Sequence, residues 1–377
     1  MQYRNFGKLG IKSSAFGLGC MRFNGEPGEL GPFDDKKAIE LIHTAIDGGV
    51  TYIDTAYIYL DKTSETVVGR ALQDGYREKV TIATKMPLEH VNNRADMEKL
   101  LDEELKKLQT DHIDFYLLHG INKDKWEKFK SIGAKEFLED KKKEGKIRYK
   151  CFSFHASYDE FEYIIRDNDW DMCQIQYNFM DVNNQAGTKG LELAGSLGIP
   201  VVIMEGLLGG KLAKAPDNVQ AIYDSFPVKR TPVEWAFRWL CNHPEVGTVL
   251  SGCNELEQVE DNLRIFDGTG IGVMTDDELA LMDKVRDAYN SRTRIGCTGC
   301  RYCMPCPNGV NIPLTFAAWN DMSLYNTTKE SCWPLHMLNE SGATPDKCLQ
   351  CGACEAACPQ HIKIIDMLKT AWGEINA

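Results

Sequence analysis

The chain has 377 residues, 43% of them hydrophobic, and its 43 basic against 55 acidic side chains leave a formal net charge of -12. That surplus of acid repels a phosphate backbone and argues against nucleic acid as a partner. No apolar run of about eighteen residues occurs, and the opening MQYRNFGKLGIKSS lacks the apolar centre of an export signal. A water-soluble, cytoplasmic protein with no membrane partner is expected.

From residue 1 to about 267, short β-branched or apolar runs alternate with longer amphipathic ones, the pattern of a parallel α/β fold. The opening YRNFGKLGIKSSAF reads as a hairpin. Strands are predicted at 14–20, 51–56, 80–85, 113–119, 147–154, 172–178, 200–205 and 247–252. Between them, DDKKAIELIHTAIDGG (34–49) opens on acids and closes on glycines, as helices do, and RADMEKLLDEELKKLQ (94–109) is a second helix. TPVEWAFRWLCNHPEV (231–246) has the apolar spacing of a helix packed on the strands. Eight strand and helix pairs in about 250 residues predict an α/β fold of the (β/α)8 TIM barrel type, with its chemistry where the strands end. TDDELALMDKVRDAY (275–289), with Thr275 as N-cap, is a linking helix. Composition changes beyond it, so the domains are set at 1–290 and 291–377.

Of fourteen cysteines, Cys20, Cys151, Cys173, Cys241, Cys253 and Cys332 are scattered and read as small buried hydrophobes. Disulfides are not expected in a chain long enough to bury its own core. The others form two groups. Cys348, Cys351, Cys354 and Cys358 have the spacing C-x2-C-x2-C-x3-C-P, and Cys297, Cys300, Cys303 and Cys306 have C-x2-C-x2-C-x2-C-P. Zinc is the competing occupant, since paired C-x2-C units also make tetrahedral sites. Two triplet-plus-one groups, each closed by proline, favour two [4Fe-4S] clusters.

Asp54 closes the second predicted strand, Tyr59 follows it, and Lys85 and His119 close the third and fourth. All four point to one mouth. YIDTAYIY, ATKMP and YLLHG resemble the aldo/keto reductase family, a likeness that covers about 1–267. The resemblance implies that Asp54, Tyr59, Lys85 and His119 are catalytic. It also implies that an aldehyde or ketone is reduced by NADP- or NAD-borne hydride, or the alcohol oxidised. The chemistry needs such residues: a carbonyl that accepts hydride becomes an alkoxide and requires a proton donor within reach. A phenol with a pKa of about 10 is a reluctant donor, and an adjacent ammonium is expected to make it more acidic. Asp54 keeps Lys85 charged and in place, and His119 orients the carbonyl oxygen.

No G-x-G-x-x-G opens a helix after a strand, but the resembled family binds nicotinamide across the barrel mouth without one. The resemblance assigns the carboxamide to Ser153 and Gln174 and the diphosphate to GLLGGK, hence Gly206, Leu207, Gly209, Gly210 and Lys211. It assigns the adenosine end to Ser251, Gln258 and Asn262. Phe154 after Ser153, Met204, Gly252 and Gln258 depart from the family pattern and leave NADH against NADPH open.

The tail resembles a small, mainly helical two-cluster ferredoxin-like domain. That implies crossed ligation, with Cys297, Cys300, Cys303 and Cys358 on one cluster and Cys348, Cys351, Cys354 and Cys306 on the other. The whole is similar to aldo/keto reductases with a C-terminal ferredoxin-like domain. Nicotinamide passes two electrons at once and a cluster passes one. Three readings follow: a reductase with structural or partner-serving clusters, an iron-sulfur protein fed by ferredoxin or another redox protein, or a redox-sensing or docking module on a weakly active barrel.

Overall fold

A computed structural model describes residues 1–23 and 35–377. The described residues group into two compact units: one runs to Gly209 and resumes at Val233–Leu279, and the other holds Gly210–Pro232 and Ala280–Ala377. This grouping by compactness differs from a cut at 290, because 210–232 and 280–290 join the tail.

The first unit begins with an antiparallel hairpin, β1 (Tyr3–Asn5) and β2 (Lys12–Ser14). Eight parallel strands then close a barrel in the order β10-β3-β4-β5-β6-β7-β8-β9. They are β3 (Phe16–Gly19), β4 (Tyr52–Asp54), β5 (Thr81–Met86), β6 (Ile113–Ile121), β7 (Ile147–Phe154), β8 (Met172–Gln176), β9 (Val201–Met204) and β10 (Val246–Ser251). Each matches a predicted strand. Helices Asp35–Asp47, Arg94–Leu108 and Pro232–Cys241 also stand where the periodicity puts them; the expected first residue of the earliest, 34, lies outside the described residues. Thr275 caps Asp276–Asn290 reciprocally: its Oγ1 accepts from Glu278 N at 3.3 Å, and its own N donates to Glu278 Oε2 at 2.9 Å.

The barrel interior is layered because side chains alternate along a strand. Its lower layer is Tyr52, Ala83, Phe115, Leu117, Cys151, Met172 and Val202, closed from below by Phe6 of the hairpin connection. Phe6 lies 5.4 Å from the Phe115 ring, edge to face, and is fully buried, worth about 1.5–3 kcal/mol. Gly247 makes room for it, since a Cβ there would stand 2.7 Å from the Phe6 ring. Two residues further along each strand, on the same face, come Asp54, Lys85, His119, Ser153, Gln174 and Met204. The alternation that fills the core therefore delivers the polar layer above it.

The second unit is mainly helical. Ile312–Tyr325, Trp333–Glu340 and Ile364–Asn376 surround a core of Ile295, Val310, Ile312, Phe316, Leu335, Leu338, Leu368 and Ile375. Asn311 starts the first of these helices by accepting from Leu314 N, and Pro313 occupies its first turn, where no N–H is needed. Among the described residues no helix is long and apolar enough to cross a membrane.

Candidate functional site

Lys85 is 1% exposed and its Nζ has three partners: Asp54 Oδ1 at 2.7 Å, the Thr55 carbonyl at 2.7 Å and the Tyr59 hydroxyl at 3.2 Å. Register explains the meeting, because Asp54 pairs with Ala83 and Lys85 is two residues on, across one rung of the sheet. Tyr59 stands in the loop after β4, with its ring edge-on to His119 at 6.0 Å between centroids. The structure thus brings all four sequence-predicted residues together.

Burial and charge compete at each group. Burial works against the Lys85 ammonium, but Asp54 and Tyr59 outweigh it and hold its pKa above the ordinary value. Burial raises the Asp54 carboxyl and Lys85 pulls it back only in part; its Oδ2 is buried with no hydrogen-bond partner. Tyr59 corrects the expectation of an acidified phenol. Burial is the larger effect, Lys85 offsets only some of it, and the net shift is upward. Burial, reinforced by Lys85, lowers His119 to about 3, so its imidazole is neutral at physiological pH. A bulge places that ring: the β6–β7 register breaks between Leu118 and Ile121, and Gly120, with φ +58°, donates its N–H to Ser153 Oγ at 2.9 Å.

Ser153 and Gln174 are partners across β7 and β8. Both are buried, yet Gln174 Oε1 has no hydrogen-bond partner and Gln174 Nε2 reaches only Met204 Sδ at 3.8 Å. A primary amide with unspent donor and acceptor capacity at a barrel mouth fits a carboxamide ligand. Gly206, Leu207 and Gly209 follow β9, and Gly209 has φ +67°, which suits glycine. Gly210 and Lys211 fall in the second unit, where Lys211 Nζ pairs with Asp321 Oδ1 at 2.7 Å. Asn262 donates to Ser251 Oγ at 3.1 Å and Cys253 Sγ at 3.2 Å, while Gln258 Oε1 accepts from Asn254 N at 3.0 Å, so these three gather in one turn region.

Sequence reasoning missed Arg22. Its Nη1 donates to the Gly209 carbonyl at 3.0 Å, and its stem lies beside Gly252, so one cation spans the two loops assigned to the diphosphate and adenosine. Its place just beyond β3 in GLGCMR was the available signal, since a basic residue at a strand end faces the mouth.

In the tail the eight clustered thiols ring two cavities. One is lined by Cys297, Cys300, Cys303 and Cys358, with Ile312, Phe316 and Ile364. The other is lined by Cys306, Cys348, Cys351 and Cys354, with Val310 and Leu368, and Cys303 lines both. The fourth cysteine of each motif therefore lies with the first three of the other. Burial pushes the Cys303 thiol up, and Cys297, Cys300 and Cys358 are near enough to add to it. Among the described residues no three His, Cys, Asp or Glu side chains converge tightly enough to hold a single metal ion.

Comparison with known proteins agrees with both halves. Residues 15–287 match the model of the aldo/keto reductase family, and residues 296–362 match that of the 4Fe-4S dicluster domain. Aldo-keto reductase YhdN of Bacillus subtilis (strain 168) is 39% identical over 127 residues, 32% of this chain and 38% of that protein, well under two thirds of its length. The uncharacterized oxidoreductase YrpG of the same organism is 26% identical over 313 residues, 70% of this chain and 90% of its own. The holo form of aldo-keto reductase AKR11C1 from Bacillus halodurans superposes with a TM-score of 0.64 at 25% identity, covering 76% of this chain and 96% of that one. An aldo/keto reductase from Klebsiella pneumoniae in complex with NADP and acetate shares the fold, with a TM-score of 0.59, 24% identity and coverage of 75% and 95%.

Proposed function

Since this chain belongs to the aldo/keto reductase family and carries a 4Fe-4S dicluster domain, we propose that it is an NAD(P)-dependent reductase of a small aldehyde or ketone, or a dehydrogenase of the alcohol, with two [4Fe-4S] clusters. One observation carries the reductase reading: a single buried ammonium touches both a carboxylate and a phenol at the end of the barrel strands. Bound nicotinamide supplies the hydride. Tyr59 keeps its proton through the physiological range and donates it to the substrate oxygen as negative charge develops there. Lys85 then stabilises the phenolate left behind, an interaction stronger in the transition state than before it. Asp54 holds Lys85, and neutral His119 hydrogen-bonds the substrate oxygen. Ser153 and Gln174 take the carboxamide, Gly206, Leu207, Gly209 and Gly210 follow the diphosphate, and Ser251, Gln258 and Asn262 meet the adenosine end. The partner of Lys211 favours a tether to Asp321 over a phosphate contact.

Crossed lining of the two cavities supports Cys297, Cys300, Cys303 and Cys358 on one cluster and Cys306, Cys348, Cys351 and Cys354 on the other. Thiols spread around a cavity suit a cube better than one tetrahedral zinc. We take 1–290 and 291–377 as the two functional modules, a cut that falls between the two family matches. None of the fourteen cysteines is joined in a disulfide, and we place the protein in the cytoplasm, where thiols stay reduced. A second reading has ferredoxin or a similar carrier deliver single electrons, favoured by the exposure of Cys300 and Cys351.

The test is NAD(P)H oxidation over a panel of carbonyls, beside reduced viologen as donor. Wild type turns over with NAD(P)H, and Tyr59→Phe loses about 10²–10⁴-fold in kcat while binding nucleotide normally. Turnover with viologen alone favours the second reading, and full activity in Tyr59→Phe ends the first.

A further inference from the structure

We propose that the hydroxyls of Thr55 and Ser64 form a pin that positions Tyr59 against Lys85; both are positioning residues, and the proposal rests on the reductase reading above.

Both hydroxyls are fully buried and stand 2.7 Å apart. Ser64 Oγ donates to the Cys20 carbonyl at 2.7 Å, at the end of β3. A hydroxyl has one proton, so the proton between the two side chains comes from Thr55. Thr55 is committed through its main chain as well: its N–H donates to the Ala83 carbonyl at 2.8 Å, and its own carbonyl accepts from Lys85 Nζ at 2.7 Å. The pin therefore links the ends of β3 and β4 and the middle of β5 to the oxygen that helps seat the ammonium.

The pin also closes the base of the loop that bears Tyr59. Just past Tyr59, Leu60, Asp61 and Lys62 have φ of 51°, 50° and 70°, three consecutive non-glycine residues in the left-handed region. No other such run occurs among the described residues. Side-chain-bearing residues adopt that conformation singly at some cost, and a run of three persists only where its ends are over-determined. Here the near end is held by Thr55 and the far end by Ser64, whose N–H also donates to the Tyr59 carbonyl at 3.3 Å. The strained turn leaves the phenol one position, 3.2 Å from Lys85. A surface loop of the same length without the pin relaxes toward αR or β, and Tyr59 swings with it.

The test compares Thr55→Val, Ser64→Ala, the double variant and Ser64→Thr with wild type and Tyr59→Phe, in carbonyl reduction and nucleotide binding by the full chain. Each hydroxyl-deleting variant is expected to lose about 10- to 100-fold in kcat, the effect of a displacement near 1 Å, with nucleotide Kd within about twofold. The alkaline limb of its kcat profile moves to higher pH, because Lys85 no longer draws the phenol down. The double variant loses no more than the worse single, and Ser64→Thr recovers most of the rate. Asp61→Gly guards against misfolding: it relieves the turn without touching the buried pin, and is expected to lower kcat with no loss of melting temperature. Wild-type kcat with an unmoved pH profile in the hydroxyl-deleting variants, or in Asp61→Gly, overturns the pin while Tyr59→Phe remains dead. An active Tyr59→Phe overturns the reductase reading itself.

Discussion

The barrel mouth and the cysteine cavities are both polar sites in apolar frames, and they are completed in opposite ways. At the mouth, each buried charge has a partner from the chain: Lys85 has Asp54, the Thr55 carbonyl and Tyr59. In the tail, thiols line cavities, and what they face is one another. A site satisfied internally is preorganised by the fold, whereas one whose walls offer ligands across a gap draws stability from what fills it. Order at the mouth follows from contacts within the fold, and order around the tail cavities is expected to depend, beyond the apolar core beside them, on the clusters proposed above.

The sharpest way to break this contrast is Lys85→Met. It strands the Asp54 carboxylate in the core and is expected to cost about 3–5 kcal/mol of barrel stability. Adding Asp54→Asn should return much of that, and calorimetry that finds the single variant as stable as wild type removes the claim of internal completion. Next is Cys351→Ser, which should lose about half the iron and its visible absorption. The tail's thermal transition should fall with it, while nucleotide binding by the barrel holds; equal losses in both units would show that they do not differ in this way.

A smaller effect concerns His119. With its pKa lowered to about 3, the folded protein resists a proton that the unfolded chain accepts below about 6.5. Stability should therefore decline as pH falls from about 6.5 toward 3, and the slope should flatten in His119→Gln. An NMR titration of the imidazole near pH 6.5 would contradict this. The smallest effect is at Glu104, fully buried, whose Oε2 accepts from Tyr116 at 2.6 Å and whose Oε1 has no partner. Burial, with Glu65 adding to it, raises this carboxyl well above its usual range. The unfolded chain releases that proton above about pH 4.5 and the fold does not, so the group's contribution is lost as pH rises. Glu104→Gln should raise the melting temperature by about 2–4 °C at pH 8 and little at pH 5.

Much of the site was legible because two periodicities carry it. Tyr52, Phe115 and Leu117 are inward core residues, and Asp54 and His119 lie on the same inward face two residues beyond Tyr52 and Leu117, so strand parity alone places them. Arg22, Thr55 and Ser64 carry no such mark. Arginine, threonine and serine at the ends of elements are ordinary, and their partners are 187, 9 and 44 positions away. The pairing of Lys211 is unmarked for the same reason, as nothing near GLLGGK points to Asp321, 110 residues on.

By itself the amino-acid order determined the eight-stranded barrel, the inward face on which its polar residues lie, and the two cysteine groups, because each is a repeat read along the chain. Depth and distant contact were decided by tertiary structure: that burial outweighs Lys85 at Tyr59, that His119 is neutral, and that two hydroxyls close the Tyr59 loop. Desolvation depends on how much protein surrounds a group, and that quantity exists only after the chain has folded.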